Sequence, residues 1–126
     1  MIESIKLTES EKDMLVRIKR KTGIDSWNIL CRWAYLLGLS QDQIHPSSTP
    51  EKRDAIEIKW ETFSGRHSSI YATITRLKYA DSLKHNDGTT VFDFFHRRLS
   101  VGIRILSKSA SEEGLKCFSK ILDLSR

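Results

Sequence analysis

Apolar positions along the chain follow two periods, and the switches between them outline its elements. In MIESIKL, Ile5 and Leu7 alternate with Ser4 and Lys6, which predicts one short strand. Thr8 and Glu11 then form a T-x-x-E capping box. Met14, Leu15 and Ile18 share one arc of the helix that follows, and Gly23 is placed to end it. Asp25 or Ser26 caps the next helix. There the pattern changes, because from Trp27 to Leu37 apolar side chains point almost every way. Trp27, Leu30, Cys31, Ala34 and Leu37 lie on one flank and Ile29, Trp33 and Leu36 on another, with Asn28, Arg32 and Tyr35 as the single polar stripe. A helix apolar nearly all round must be buried nearly all round, and a chain of 126 residues has few other helices to cover it. A second subunit is the simplest cover. Trp27, Leu30, Cys31, Trp33, Ala34 and Leu37 are therefore the expected oligomer interface.

Further along, HPSSTPEKR (His45 to Arg53) holds both prolines and reads as a loop. Ile56, Ile58 and Trp60 alternate with Glu57, Lys59 and Glu61, the pattern of a short strand within 55–63 that Ser64-Gly65 would end, with a short helix as the other reading. Ser68 or Ser69 starts a helix carrying Ile70, Ile74 and Leu77 at i, i+4, i+7. Asn86-Asp87-Gly88 is a turn, and Thr90 with Asp93 makes a second capping box. The helix beyond it buries Val91, Phe92, Phe95, Leu99, Ile103 and Leu106. A last helix starts at Ser109 and Glu112 and packs through Leu115, Phe118 and Leu122. The fold class is mainly α in a single domain over 1–126. A strand-helix-helix order like that of ribbon-helix-helix proteins spans 1–39, and a further strand and helices span 40–126, the whole forming a compact oligomer.

Charge changes the picture at two places. Arg17, Lys19, Arg20 and Lys21 put four cations into five residues, and no acid lies between Asp13 and Asp25, which leaves Lys19 and Arg20 at the centre without an i,i+4 partner. Lys12 flanks the same helix. Arg97, Arg104 and Lys108 make a second stripe on the outer side of the later helix. With a net charge of +5, these eight residues are the candidate contacts for a polyanion. Other chemistry finds little support. There is no Gly-rich phosphate loop, and His45, His67, His85 and His96 show no ligand spacing, so neither a metal site nor a cofactor is expected. Cys31 and Cys117 belong to no CxxC pair, and the greasiest run, Ile29 to Leu39, is too short to span a bilayer. A cytoplasmic protein with inert thiols is the expectation.

The stretch RIKRKTGIDSWNILCRWA (Arg17 to Ala34) resembles the leading signature of the DndE family, the smallest component of bacterial DNA phosphorothioation. EIKWETFSG (Glu57 to Gly65), followed by Tyr71, and FDFFHRRLSVGIRILS (Phe92 to Ser107) are similar to two further stretches of that family. The resemblance implies a nucleoid-associated, non-enzymatic component of a system that replaces a non-bridging phosphate oxygen of DNA with sulfur. It also implies a tetramer that favours nicked duplex and works beside a sulfurtransferase-like protein and an SMC-like ATPase. Two other readings compete. A ribbon-helix-helix repressor would read base edges with Ser4 and Lys6 on strands paired between two chains. A metal-dependent nickase would use Glu57 and Lys59 as an E-x-K half-site.

Overall fold

The computed structural model describes residues 2–41, 51–84 and 88–113, with side chains as far as 110. Strand β1 (Ser4–Leu7) leads into helix α1 (Glu9–Thr22), and α2 (Trp27–Leu39) follows after a short turn. Strand β2 (Ile56–Lys59) passes directly into a one-turn helix, α3 (Trp60–Ser64), and through a 3-10 turn at Gly65–His67 into α4 (Ser68–Ser82). The long α5 (Val91–Glu113) completes the described chain.

Local chemistry accounts for the boundaries. Thr8 caps α1 with both halves of the capping box present, and Gly23 ends the helix in the left-handed region at φ 75°. Of the two candidates for the start of α2, Ser26 is the cap, its Oγ accepting from Ile29 N at 3.4 Å. Thr90 Oγ1 accepts from Asp93 N at 3.1 Å where α5 begins. The alternating stretch at 55–63 resolves into both of its readings, a strand as far as Lys59 and a helix from Trp60. A fresh helix does not start at Ser109, because α5 runs unbroken through it to Glu113. The expected packing of Leu115, Phe118 and Leu122, like Cys117 and most of the loop at 45–53, lies outside the described residues.

The strand-helix-helix order is present, and β1 finds its partner inside its own chain. It pairs antiparallel with β2 in the register Ser4↔Lys59, Ile5↔Ile58, Lys6↔Glu57 and Leu7↔Ile56. Its other edge is also occupied. Lys6 N–H donates to His96 Nε2 at 3.0 Å, and the Lys6 carbonyl accepts from Arg53 Nη1 at 3.3 Å. The backbone groups through which a second chain would pair with β1 at Lys6 are therefore already bonded.

The core lies where α5 meets α2 and α1. Leu30, Cys31, Ala34 and Tyr35 of α2 are fully buried there with Phe95, Leu99, Ile103 and Leu106 of α5. Two glycines set how close those helices come. A Cβ on Gly102 would stand 1.5 Å from the Ala34 carbonyl oxygen, and one on Gly38 would stand 1.8 Å from that of Arg98. Backbone meets backbone at both positions, so the greasy second helix is covered on that flank by its own chain.

Candidate nucleic-acid interface

The cations of α1 are laid out by its amphipathic pattern. Leu15, Ile18 and Thr22 turn inward, which drives Arg17, Arg20 and Lys21 to the exposed side and leaves Lys19 half-buried beside them. Lys19, Arg20 and Lys21 occupy the last turn, where positive charge is favoured by the helix dipole, and Glu9 and Glu11 occupy the first. Arg17 stands a turn earlier, outside the reach of that effect. Lys12 is engaged with Glu9 at 3.9 Å. Among the described residues, no ion pair holds Arg17, Lys19, Arg20 or Lys21.

Arg97, Arg104 and Lys108 are exposed along the outer line of α5. Arg98, their neighbour in sequence, has a different task. Its guanidinium donates to the carbonyls of Gly38 and Gln41, and so satisfies the C-terminal end of α2 while lying 5.5 Å from the centre of the Phe94 ring.

A buried polar network ties the two basic helices together. Glu11 is almost fully buried and accepts from Thr8 N and from Arg53 Nη1, each at 2.9 Å, and from the Ser100 hydroxyl of α5. Arg53 Nη2 also donates to Ser100 Oγ at 3.1 Å. Arg97 and Arg104 stand a turn to either side of Ser100, so the outer stripe of α5 is positioned at the seam with α1. Sequence reasoning missed Arg53, which looked like one more loop cation. The T-x-x-E box did mark Glu11, but only as a cap.

The expected interface divides in two. Leu30, Cys31 and Ala34 are fully buried within the chain itself. Trp27, Trp33 and Leu37 remain half-buried, and Ile29 and Leu36, from the other flank, are exposed. Ile29 and Leu36, at i and i+7, are the exposed apolar side chains of α2, and Trp33 between them packs in part against the core. The polar stripe is redistributed too. Tyr35 is buried with its hydroxyl 2.6 Å from Thr75 Oγ1, and burial pushes its phenol up to about 12. Arg32 donates from Nε to the Phe63 carbonyl and from Nη2 to that of Thr62 at 3.3 Å, closing the end of α3. Gly65, at φ 58°, leaves room for that guanidinium, since a Cβ there would lie 2.8 Å from Arg32 Nη2.

Reactive groups are few. Desolvation raises the Cys31 thiol to about 12, with the Glu11 charge adding to the effect. That keeps the buried sulfur in its unreactive form. Burial lowers His96 to about 4, and its neutral ring bonds Phe92 O through Nδ1 at 2.8 Å while Nε2 takes the Lys6 N–H. Glu57 and Lys59 face outward on β2, and Glu57 accepts from Ser4 Oγ at 2.8 Å. Among the described residues, no group of three His, Cys, Asp or Glu is gathered to hold a metal ion. None of the described helices is long and apolar enough to cross a membrane.

The family model described as DNA sulphur modification protein DndE matches residues 4–113. The chain belongs to the DndE family. Two solved DndE structures share its fold. That of DndE from Escherichia coli B7A, involved in DNA phosphorothioation modification, is 18% identical with a TM-score of 0.65, covering 84% of this chain and 97% of that one. A DndE mutant with two glycine-to-lysine changes, involved in DNA phosphorothioation, is 15% identical with a TM-score of 0.61, covering 86% and 99%. No curated protein matches the chain. The two DndE-like signatures around Arg32 and Gly65 are the ones that meet at the end of α3, so both stretches build one contact.

Proposed function

We propose that this DndE-family protein is a non-catalytic, oligomeric DNA-binding component of a phosphorothioation system, holding duplex through phosphate contacts. The observation that carries the reading is the display of Arg17, Lys19, Arg20 and Lys21 on α1, none of them held in an ion pair among the described residues. Arg97, Arg104 and Lys108 on α5 supply a second track, and Lys12 a peripheral contact. Contacts of this kind release condensed counterions. They give affinity that falls steeply with salt and reads no sequence. The exposed Ile29 and Leu36 on α2 support assembly, since subunits joined there would repeat the basic helices along a duplex. A preference for nicked duplex, a tetramer, and work beside the sulfurtransferase-like and SMC-like ATPase components complete the proposal.

The test replaces Arg17, Lys19, Arg20 and Lys21 with glutamate and measures duplex affinity across a salt series, intact and nicked, beside light scattering. Duplex binding is expected to disappear while the oligomer keeps its size. Unchanged affinity at low salt removes α1 from the interface. A matching variant of Arg97, Arg104 and Lys108 decides whether α5 adds to the salt slope, each phosphate contact being worth about 0.9 in that slope.

A further inference from the structure

Helix α4 is attached to the fold by the wrong residues for its composition. Its aliphatic line, Ile70, Ile74 and Leu77 at i, i+4, i+7, is not what it buries: Ile70 is 54% exposed and Leu77 67%, and only Ile74 is half-covered. Besides Ala72 and Ile74, which pack in part on the core, what holds α4 is a set of polar-tipped hooks. Thr75 meets the Tyr35 hydroxyl, Tyr79 Oη donates to the Thr89 carbonyl, and the rings of Tyr71 and Tyr79 pack on Phe63 and Phe94. A helix anchored by hydrogen bonds on its inner side while showing isoleucine and leucine to water keeps those side chains for a contact outside the chain.

The charge around that line selects the occupant. Arg76 and Lys78 stand on opposite flanks of Leu77, both exposed and neither in an ion pair among the described residues. The one acid between residues 65 and 84 is Asp81, which is engaged by Lys84 at 3.6 Å. Two copies of α4 packed face to face would set arginine and lysine beside their own kind. The α2 helix, with Ile29 and Leu36 exposed, has no acid to offer either, because WNILCRWAYLLGL contains none. A phosphate backbone would use the cations and leave the aliphatics wet. We infer that the outward face of α4 is a docking site for an amphipathic helix of another protein, apolar along its centre and acidic along both edges. The site uses none of the cations proposed to contact DNA on α1 and α5, so the two readings stand or fall apart.

Fluorescence anisotropy on the full chain tests it with two synthetic helical peptides that share a Leu/Ile face, one edged with Glu and the other with Lys. The Glu-edged peptide is expected to bind, and Leu77→Glu and the pair Arg76→Glu with Lys78→Glu should each weaken it about tenfold or more. The same variants should leave oligomer size, duplex affinity and the circular dichroism melt unchanged. Equal or absent binding of the two peptides overturns the proposal. So does a change in particle mass with Leu77→Glu, which would make the occupant a second copy, or a loss of duplex affinity, which would make it nucleic acid.

Discussion

Acid should unfold this protein partly through one histidine. His96 sits beneath β1, its ring tied to the Lys6 amide and the Phe92 carbonyl, and its pKa is held near 4 against 6.5 for the free side chain. Desolvation is the main cause and the Arg53 charge assists it, whereas the Phe92 bond and the charges of Glu11 and Asp93 pull the other way. Between those two values the unfolded chain binds the proton and the folded chain does not. Stability from this group is therefore lost as pH falls through that window and levels off below it. At about pH 4.5 the loss relative to neutral pH comes to about 2.5 kcal/mol, a large part of a small domain's margin. His96→Gln keeps an acceptor for Lys6 N–H and cannot titrate. Urea denaturation of both proteins at neutral and acid pH isolates the term, since the carboxylates they share cancel in the difference. The wild type should lose that much more than the variant. Curves that stay parallel would mean that His96 is either protonated in the fold or wetter than its burial implies.

Other perturbations have equally definite outcomes. Gly102→Ala, which would raise helix propensity by about 1 kcal/mol in an open helix, should instead cost about 3 kcal/mol by chemical denaturation, because its Cβ would meet the Ala34 carbonyl at 1.5 Å. Cys31 should resist maleimide in the native protein and react once urea exposes it, as its burial and its pKa of about 12 require. Ile29→Glu combined with Leu36→Glu should reduce the particle mass in light scattering without lowering helicity, if assembly uses the exposed apolar side chains of α2. Arg53→Met should cost about 3 kcal/mol by leaving Glu11 buried with one partner fewer. It should also weaken duplex binding without changing the salt slope, because Arg53 orders the basic helices and touches no phosphate in the proposed interface.

Much of this architecture was legible wherever local chemistry decides. Caps at Thr8, Ser26 and Thr90 and the stop at Gly23 are short-range hydrogen-bonding and backbone effects, and residues a few positions apart reveal them. The strand at Ile56 was readable from alternation. Its partner was not, because pairing with Ser4–Leu7 closes a long loop and no periodicity reports that. The cover over α2 was hidden for a similar reason. Helix α2 is greasy on most sides, and composition alone could not say that Gly38 and Gly102 let α5 come close enough to cover Leu30, Cys31 and Ala34. The aliphatic line of α4 is the converse case, a regular i, i+4, i+7 signal two of whose three members, Ile70 and Leu77, point at water.

The basic clusters cannot be weighed as loose surface charges. A lysine on a flexible loop must be ordered when it meets a phosphate, and that entropy is subtracted from whatever the contact gains. Here the ordering is done in folding. Glu11 bridges α1 to Ser100 of α5, Arg53 clamps both, and the Cα positions of Arg17 to Lys21 are thereby fixed with respect to those of Arg97 and Arg104. Cations held at set spacings on rigid helices lose only side-chain freedom on binding. The same buried carboxylate that begins α1 as a cap thus determines how its far end is presented, and no tally of lysines and arginines along the chain contains that information.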